Sequence, residues 1–126
     1  MKHILVVDDD RDLVQTLKVR LEANQDFVVS TAQNGEEALR YIQRSNPDLI
    51  VMDVLMPKMD GLTTLKAINT MMEKRVPVII ITGKAIMTKD AFELEGARDF
   101  MTKPIEGAQL VKRIKEILNT VADPAK

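Results

Sequence analysis

A chain of 126 residues, 45% of them hydrophobic and 29% charged, has the composition of one ordinary globular domain with room for a sizeable core. It contains no cysteine and one histidine, His3, which excludes disulfides, thiolate catalysis and metal sites built from several cysteine or histidine ligands. The net charge of −1 gives no reason to expect direct binding to nucleic acid or an anionic membrane, and no apolar run approaches the roughly 20 residues of a membrane span.

The first predicted unit is a strand followed by a helix. The strand is the apolar run over 3–7, and it ends in three aspartates, Asp8, Asp9 and Asp10. These charges come too early for a signal peptide, so a cytoplasmic location is expected. The helix begins at an N-cap, Asp10 or Arg11. Its apolar residues recur at helical spacing on one face, at Leu13, Val14, Leu17 and Leu21.

The second and third units repeat this order. A β-branched run over 27–31 predicts the second strand, and the second helix runs from 34 to about 44. The third strand is a continuous apolar run that ends abruptly in a carboxylate, Asp53, as in a strand covered on both faces of a parallel sheet. The third helix is predicted from 62 to about 73.

The last two units complete the pattern. The fourth strand is predicted over 76–81, and the fourth helix, over 87–95, has a weak apolar pattern. A short fifth strand over 98–102 leads to the clearest helix, which runs from 105 or 106 to about 121. Residues 122–126 are expected to form a C-terminal tail.

Five strand-then-helix units predict an α/β fold, with a doubly wound parallel sheet covered by helices on both faces. Parallel neighbours need crossover connections of one hand, and a helix is the usual crossover. We expect a single domain over residues 1–121.

Polar side chains follow four of the five predicted strands. Asp8 and Asp9 follow the first strand, Asp53 ends the third, Thr82 follows the fourth and Lys103 follows the fifth. The carboxyl ends of parallel strands meet at one edge of the sheet, where ligands bind in open α/β folds. We therefore expect these five residues to converge on one site.

The expected site has the chemistry of phosphoryl transfer. Three neighbouring carboxylates repel one another unless a cation lies between them, and an oxygen-only set of ligands suits Mg²⁺. The Lys103 ammonium and the Thr82 hydroxyl could hold a phosphoryl group, and Asp53 could act as its nucleophile.

Taken one at a time, these residues have ordinary structural explanations. A lone aspartate in a loop usually caps a helix or faces solvent, and a lone lysine is usually a surface charge. Asp10 is interpreted as a helix cap, Asp60 with Gly61 as a turn, and Phe100 as a core or half-buried aromatic. It is the joint placement at strand ends that favours function.

The sequence resembles the receiver domains of two-component response regulators over nearly its whole length. The matching segments are ILVVDDD at 4–10, DLIVMD at 48–53, MP at 56–57, MDG at 59–61, IIITG at 79–83, GARDF at 96–100 and KP at 103–104. Each alone is weak, but their combination in this order is very specific. The resemblance implies a flavodoxin-like three-layer sandwich with strand order 2-1-3-4-5, and a cis Lys103-Pro104 bond.

The resemblance also implies roles at the site. Asp53 would accept a phosphoryl group from a sensor histidine kinase or a histidine phosphotransfer protein. Mg²⁺ would be bound directly by Asp9, Asp53 and the backbone carbonyl of Leu55, and through water by Asp8. Lys103 would pair with Asp53 and then with the phosphoryl group.

A two-state switch is implied as well. Thr82 would move to bond the phosphoryl group, and Phe100 would turn inward. The fourth helix, fifth strand and fifth helix would then present a changed surface to a downstream target or output domain. The domain would be a monomer or a phosphorylation-dependent dimer, and it would catalyse only its own phosphorylation and dephosphorylation. The residues two positions after Asp53 and Thr82, Leu55 and Lys84, predict a longer-lived phosphate.

Other functions remain as alternatives. A phosphohydrolase that forms an aspartyl phosphate needs a second acid two residues after its nucleophile, where this chain has Leu55. A nucleotide- or flavin-binding module needs a glycine-rich loop where this chain has three aspartates. The chain could be a single-domain regulator, or a phosphorelay receiver excised from a hybrid kinase.

Overall fold

Strands and helices alternate along the chain, as the apolar runs predict. The computed structural model describes residues 1–54, 56, 58–83 and 89–122, with the backbone alone described at 89 and 120–122. The strands are β1 (Lys2–Val7), β2 (Phe27–Ala32), β3 (Leu49–Asp53), β4 (Val78–Thr82) and β5 (Asp99–Thr102). The helices are α1 (Arg11–Glu22), α2 (Gly35–Arg44), α3 (Gly61–Met71), α4 (Lys89–Leu94) and α5 (Gly107–Ala122).

The five strands form one parallel sheet in the order β2-β1-β3-β4-β5. This confirms the predicted fold class and the strand order that the resemblance implies. Because the strand order reverses beside β1, the connections after β1 and after β3 run to opposite faces of the sheet. A crevice lies between these two connections at the carboxyl ends of the strands. The Lys103-Pro104 peptide bond is cis, as expected.

Two hydrophobic clusters cover the two faces of the sheet. In β1, Ile4 and Val6 pack on the face shared with α1 and α5, whereas Leu5 and Val7 pack on the face shared with α2, α3 and α4. Every residue of β3 and β4 is buried. Burial on both faces is why these two strands are continuous apolar runs rather than alternating ones.

Polar N-caps start three of the helices next to strand ends. The side chain of Asp10 accepts the Leu13 N–H at 3.1 Å at the start of α1, and Asn34 caps α2 in the same way. Asp60 accepts the Thr63 N–H at 2.8 Å, so Asp60 and Gly61 form the start of α3 rather than only a turn. These caps fix where α1, α2 and α3 begin at the carboxyl edge of the sheet.

The observed boundaries differ from the predicted ones by one or two residues at most ends. β4 begins at Val78 rather than 76, and α3 ends at Met71 rather than near 73. The carbonyl of Pro77 accepts the Ile50 N–H at 3.0 Å, so this residue touches β3 although it precedes β4. The predicted start of the fourth helix, at 87, lies outside the described residues, as does the tail from 123. In the parts of the chain that the structure covers, no helix has the length and apolar character needed to span a membrane.

Candidate functional site

Three carboxylates meet at the carboxyl edge of the sheet. Asp8 follows β1 and is fully buried, Asp9 is exposed, and Asp53 is the last residue of β3 with 6% of its surface exposed. Each offers an oxygen, and these oxygens all lie within 4.8 Å of one another. The convergence that the strand order predicts is therefore present for the acidic residues.

Lys103 lies across this cluster. Its Nζ is 2.9 Å from Asp8 Oδ2 and 3.3 Å from Asp53 Oδ2. Its backbone N–H donates to the Thr82 carbonyl at 2.6 Å, which holds the start of the side chain beside the end of β4. From there the lysine reaches past β4 to the ends of β3 and β1. The resemblance implies a pair between Lys103 and Asp53; in the structure the ammonium contacts both carboxylates, and Asp8 is the nearer one.

Backbone donors orient the two buried carboxylates. The Asp10 N–H donates to Asp8 Oδ1 at 2.9 Å, and the Val54 N–H donates to Asp53 Oδ1 at 2.8 Å. Their Oδ2 atoms are left facing the lysine. Asp8 Oδ2 lies 2.9 Å from the Lys103 ammonium, which is its charged partner. Among the described residues this oxygen has no further hydrogen-bond donor.

Burial and charge act in opposite directions on these groups. The pKa of Asp53 is raised by burial and by the negative charge of Asp8, although Lys103 opposes the rise. Burial tends to lower the pKa of Lys103, but its contacts with Asp8 and Asp53 outweigh this and raise it. The lysine therefore stays charged at neutral pH, and it compensates only part of the negative charge of three carboxylates.

The cluster fits a hard divalent cation. Its ligand atoms are all oxygens, and its negative charge exceeds the positive charge of the lysine. Such a cation, or a water bound to it, would give Asp8 Oδ2 a second partner besides Lys103. The expected Leu55 carbonyl ligand lies outside the described residues, as do Pro57 and Lys84.

The two residues predicted to switch lie on adjacent strands. Thr82 is the buried last residue of β4, and Phe100 is half-buried in β5. The Phe100 ring packs edge-to-face against Phe92 of α4, with ring centres 6.4 Å apart. The structure thus connects Phe100 to α4, while the movement of both residues stays a prediction.

Sequence reasoning missed the contribution of the backbone at the site. The Gly61 N–H donates to the Val54 carbonyl at 2.8 Å, so the first residue of α3 touches the residue after Asp53. A Cβ at Gly61 would lie 2.7 Å from the Asp53 carbonyl oxygen. The sequence predicts a turn at Asp60-Gly61, but no sequence pattern states which backbone atoms the glycine approaches.

Comparison with known proteins identifies relatives over nearly the whole chain. The family model described as the response regulator receiver domain matches residues 4–115. The alkaline phosphatase synthesis transcriptional regulatory protein PhoP of Bacillus subtilis is 40% identical over 118 residues, which are 93% of this chain and 48% of that protein. The chain therefore spans about half the length of this relative.

Solved structures agree in fold. The chemotaxis protein CheY4 of Vibrio cholerae is 30% identical with a TM-score of 0.86, and the match covers 92% of this chain and 98% of that one. The signal receiver domain of a signal transduction histidine kinase from Syntrophus aciditrophicus is 34% identical with a TM-score of 0.84, covering 96% of this chain and 92% of that one. Similar domains thus occur in a transcriptional regulator, a chemotaxis protein and a kinase.

Proposed function

This chain belongs to the response regulator receiver domain family, and on that premise we propose that it is a phosphoacceptor switch in which Asp53 accepts a phosphoryl group from a phosphohistidine. One observation carries the proposal. Asp53 ends β3 at the point where the Asp8 and Asp9 oxygens lie within 4.8 Å and the Lys103 ammonium is 3.3 Å away. The elements needed to attract, hold and accept a phosphoryl group therefore lie together.

The proposed step is an in-line displacement at phosphorus. One carboxylate oxygen of Asp53 forms a bond to phosphorus as the bond from phosphorus to the donor's imidazole nitrogen breaks. The imidazole keeps the electron pair of that bond and takes up a proton. Hydrolysis of the resulting acyl phosphate by water returns the carboxylate and inorganic phosphate. The protein thus catalyses only its own phosphorylation and dephosphorylation.

Asp8, Asp9 and Asp53 are the residues that would hold Mg²⁺, with Asp8 acting through water. When bound, Mg²⁺ supplies positive charge that offsets the phosphate oxygens and the carboxylates. The oxygen-only composition of the cluster and its excess of negative charge over that of one lysine support this assignment.

Lys103 and Thr82 would act on the transferred group. The Lys103 ammonium already contacts Asp53 Oδ2 and would transfer this contact to a phosphoryl oxygen, stabilising its charge. Thr82, buried at the end of the neighbouring strand, would donate its hydroxyl to the same group and draw Phe100 inward. The contact between Phe100 and Phe92 supports a connection from this movement to α4.

The partners follow from this chemistry. The donor would be a sensor histidine kinase or a histidine phosphotransfer protein. The surface of α4, β5 and α5 would act on a downstream target or output domain, with the domain as a monomer or a phosphorylation-dependent dimer. The likeness to a histidine kinase receiver favours a second form of the same function, in which the chain is a phosphorelay receiver of a hybrid kinase. A phosphohydrolase is disfavoured by Leu55 at the position where it needs an acid.

The central experiment is incubation with acetyl phosphate and Mg²⁺, followed by measurement of the intact mass. Wild type should gain one phosphoryl group, and Asp53→Asn should gain none because the amide is not a nucleophile for this reaction. Asp60→Asn is the matched control, since it changes a carboxylate that only caps α3. The proposal fails if Asp53→Asn is labelled like wild type, or if wild type is not labelled at all.

A further inference from the structure

The carboxyl end of α4 is held by side chains from outside that helix. The carbonyl oxygen of Glu95 accepts a hydrogen bond from Asn69 Nδ2 at 2.6 Å and another from Arg75 Nη1 at 3.0 Å. Asn69 belongs to α3, and Arg75 lies in the segment between α3 and β4. The last carbonyls of a helix have no hydrogen-bond donor within the helix. Here one such carbonyl receives two donors, one from α3 and one from the segment after α3.

Gly96 makes this arrangement possible. Its φ of 87° places it in the left-handed region, where glycine ends helices without steric cost. The Gly96 N–H donates to the Glu93 carbonyl at 2.9 Å, and the Ala97 N–H donates to the Phe92 carbonyl at 3.0 Å. A Cβ at Gly96 would lie 2.4 Å from Arg75 Nη1. The glycine therefore both turns the chain and leaves space for the guanidinium.

The described part of α4 places few side chains in the core. Its six residues, Lys89–Leu94, are too few to be stable as an isolated helix. Among its side chains that the structure describes, Phe92 alone is fully buried, and Leu94 is 85% exposed. The two hydrogen bonds to the Glu95 carbonyl therefore add to the packing of Phe92 in holding the carboxyl end of α4. Since N–H···O hydrogen bonds have donor–acceptor distances of about 2.7–3.2 Å, a displacement of α4 away from these two donors on the order of 1 Å lengthens both bonds beyond that range.

We propose that Asn69 and Arg75 form a cap that restrains α4 in the unphosphorylated domain and opposes switching. The inference rests on the proposed function, in which phosphorylation of Asp53 changes the surface that α4 contributes to. The Phe92 ring packs against Phe100, so a shift of Phe100 would also displace α4, the helix that the cap restrains. Because coupling free energies are reciprocal, loosening the cap strengthens binding of a phosphoryl group, or its mimic, at Asp53.

The test uses beryllofluoride with Mg²⁺ as a mimic of the phosphoryl group, with binding followed by NMR titration. Asn69→Ala and Arg75→Ala each remove one donor, and we expect each to tighten beryllofluoride binding by roughly three- to tenfold, the value of one hydrogen bond. Thr70→Ala and Lys74→Ala are matched controls. Both change exposed neighbours, and Thr70 Oγ1 bonds only to the Lys66 carbonyl of its own helix among the bonds described. These two should bind like wild type.

Hydrogen exchange of the protein without ligand gives an independent readout. Amides in and just after α4 should exchange faster in both cap variants, and at the wild-type rate in both controls. Unchanged exchange overturns the cap itself. Faster exchange with unchanged or weaker beryllofluoride binding overturns the claim that the cap opposes switching. If wild type binds no beryllofluoride, the phosphoacceptor proposal is what fails, and exchange alone then decides whether the cap holds α4.

Discussion

At the scale of single residues, Lys103 has the most consequential surroundings. Its ammonium lies between Asp8 and Asp53 and is only partly exposed, so it stabilises a pair of carboxylates that would otherwise repel each other. The same charge opposes a second cation at the same oxygens. We therefore expect Lys103 to have two effects of opposite sign, one on metal binding and one on phosphoryl transfer.

We expect Lys103→Met to separate these effects. Mg²⁺ should bind roughly two- to tenfold more tightly, because a competing charge has been removed from the carboxylates. Labelling by acetyl phosphate should slow on the order of a hundredfold, because the transferred group loses a positively charged donor. Isothermal titration calorimetry measures the first quantity, and intact mass against time measures the second.

Lys66→Met is the control, since Lys66 is an exposed lysine on α3. It should leave both quantities near their wild-type values. Weaker Mg²⁺ binding in Lys103→Met would contradict the account of Lys103 as a competing charge.

At the scale of elements, the strands and helices could be predicted because their apolar periodicity has a single physical cause, the burial of one face or two. Their ends could not be predicted to the residue. The apolar Val76 predicts a fourth strand that includes it, yet β4 begins two residues later, because the ladder is set by pairing with β3. The Asp60 cap sets the start of α3 at Gly61, but the contact of Gly61 with Val54 there is one that no local pattern encodes.

Gly61→Ala should disturb the site through this contact. The added methyl group would meet backbone atoms, at 2.7 Å from the Asp53 oxygen and 3.0 Å from Val54 Cα, so the connection after β3 must shift. We expect the free energy of unfolding to fall by about 1–3 kcal/mol. Mg²⁺ affinity should fall as well, because Val54 orients the Asp53 carboxylate through its N–H.

Gly35→Ala is the matched comparison, because it changes another helix-opening glycine whose new methyl group would meet the side chains of Thr64 and Met59. It should lower stability, measured by urea denaturation, and leave Mg²⁺ affinity unchanged. Equal Mg²⁺ affinities in the two variants would show that Gly61 has no specific influence on the site.

At the scale of the whole molecule, the site could be predicted because the topology of parallel strands brings their carboxyl ends to one edge. The residue types at those ends then limit the chemistry. What could not be predicted is the detailed arrangement within the edge. That Lys103 lies nearer to Asp8 than to Asp53 depends on strand order and side-chain reach together. The cap on α4 depends on side chains of α3 and the segment after it, whose sequence contains no sign of it.

Mg²⁺ should stabilise the folded protein, because the carboxylates form a site only when the strand ends are assembled. At a concentration one hundred times its Kd, the gain is about 2.7 kcal/mol, which appears as a rise of several degrees in Tm. Asp9→Asn should lose most of this gain. Without Mg²⁺ that variant should be at least as stable as wild type, because it removes one of three mutually repelling charges.

Differential scanning calorimetry with and without Mg²⁺ measures both effects. Ca²⁺ and Na⁺ at equal ionic strength separate specific binding from screening. An equal rise in Tm for wild type and Asp9→Asn would contradict the assignment of Asp9 as a ligand.

The lysine contact at Asp53 joins residues 50 positions apart in the chain, and Asp8 comes from a third distant segment. An unfolded chain therefore contains every reactive side chain of the site and none of its arrangement. Covalent labelling of Asp53 would therefore occur only in native molecules. In partly denaturing urea, the fraction labelled in a short pulse would report the population of the native state directly, without any spectroscopic probe, in a protein whose sequence contains no tryptophan.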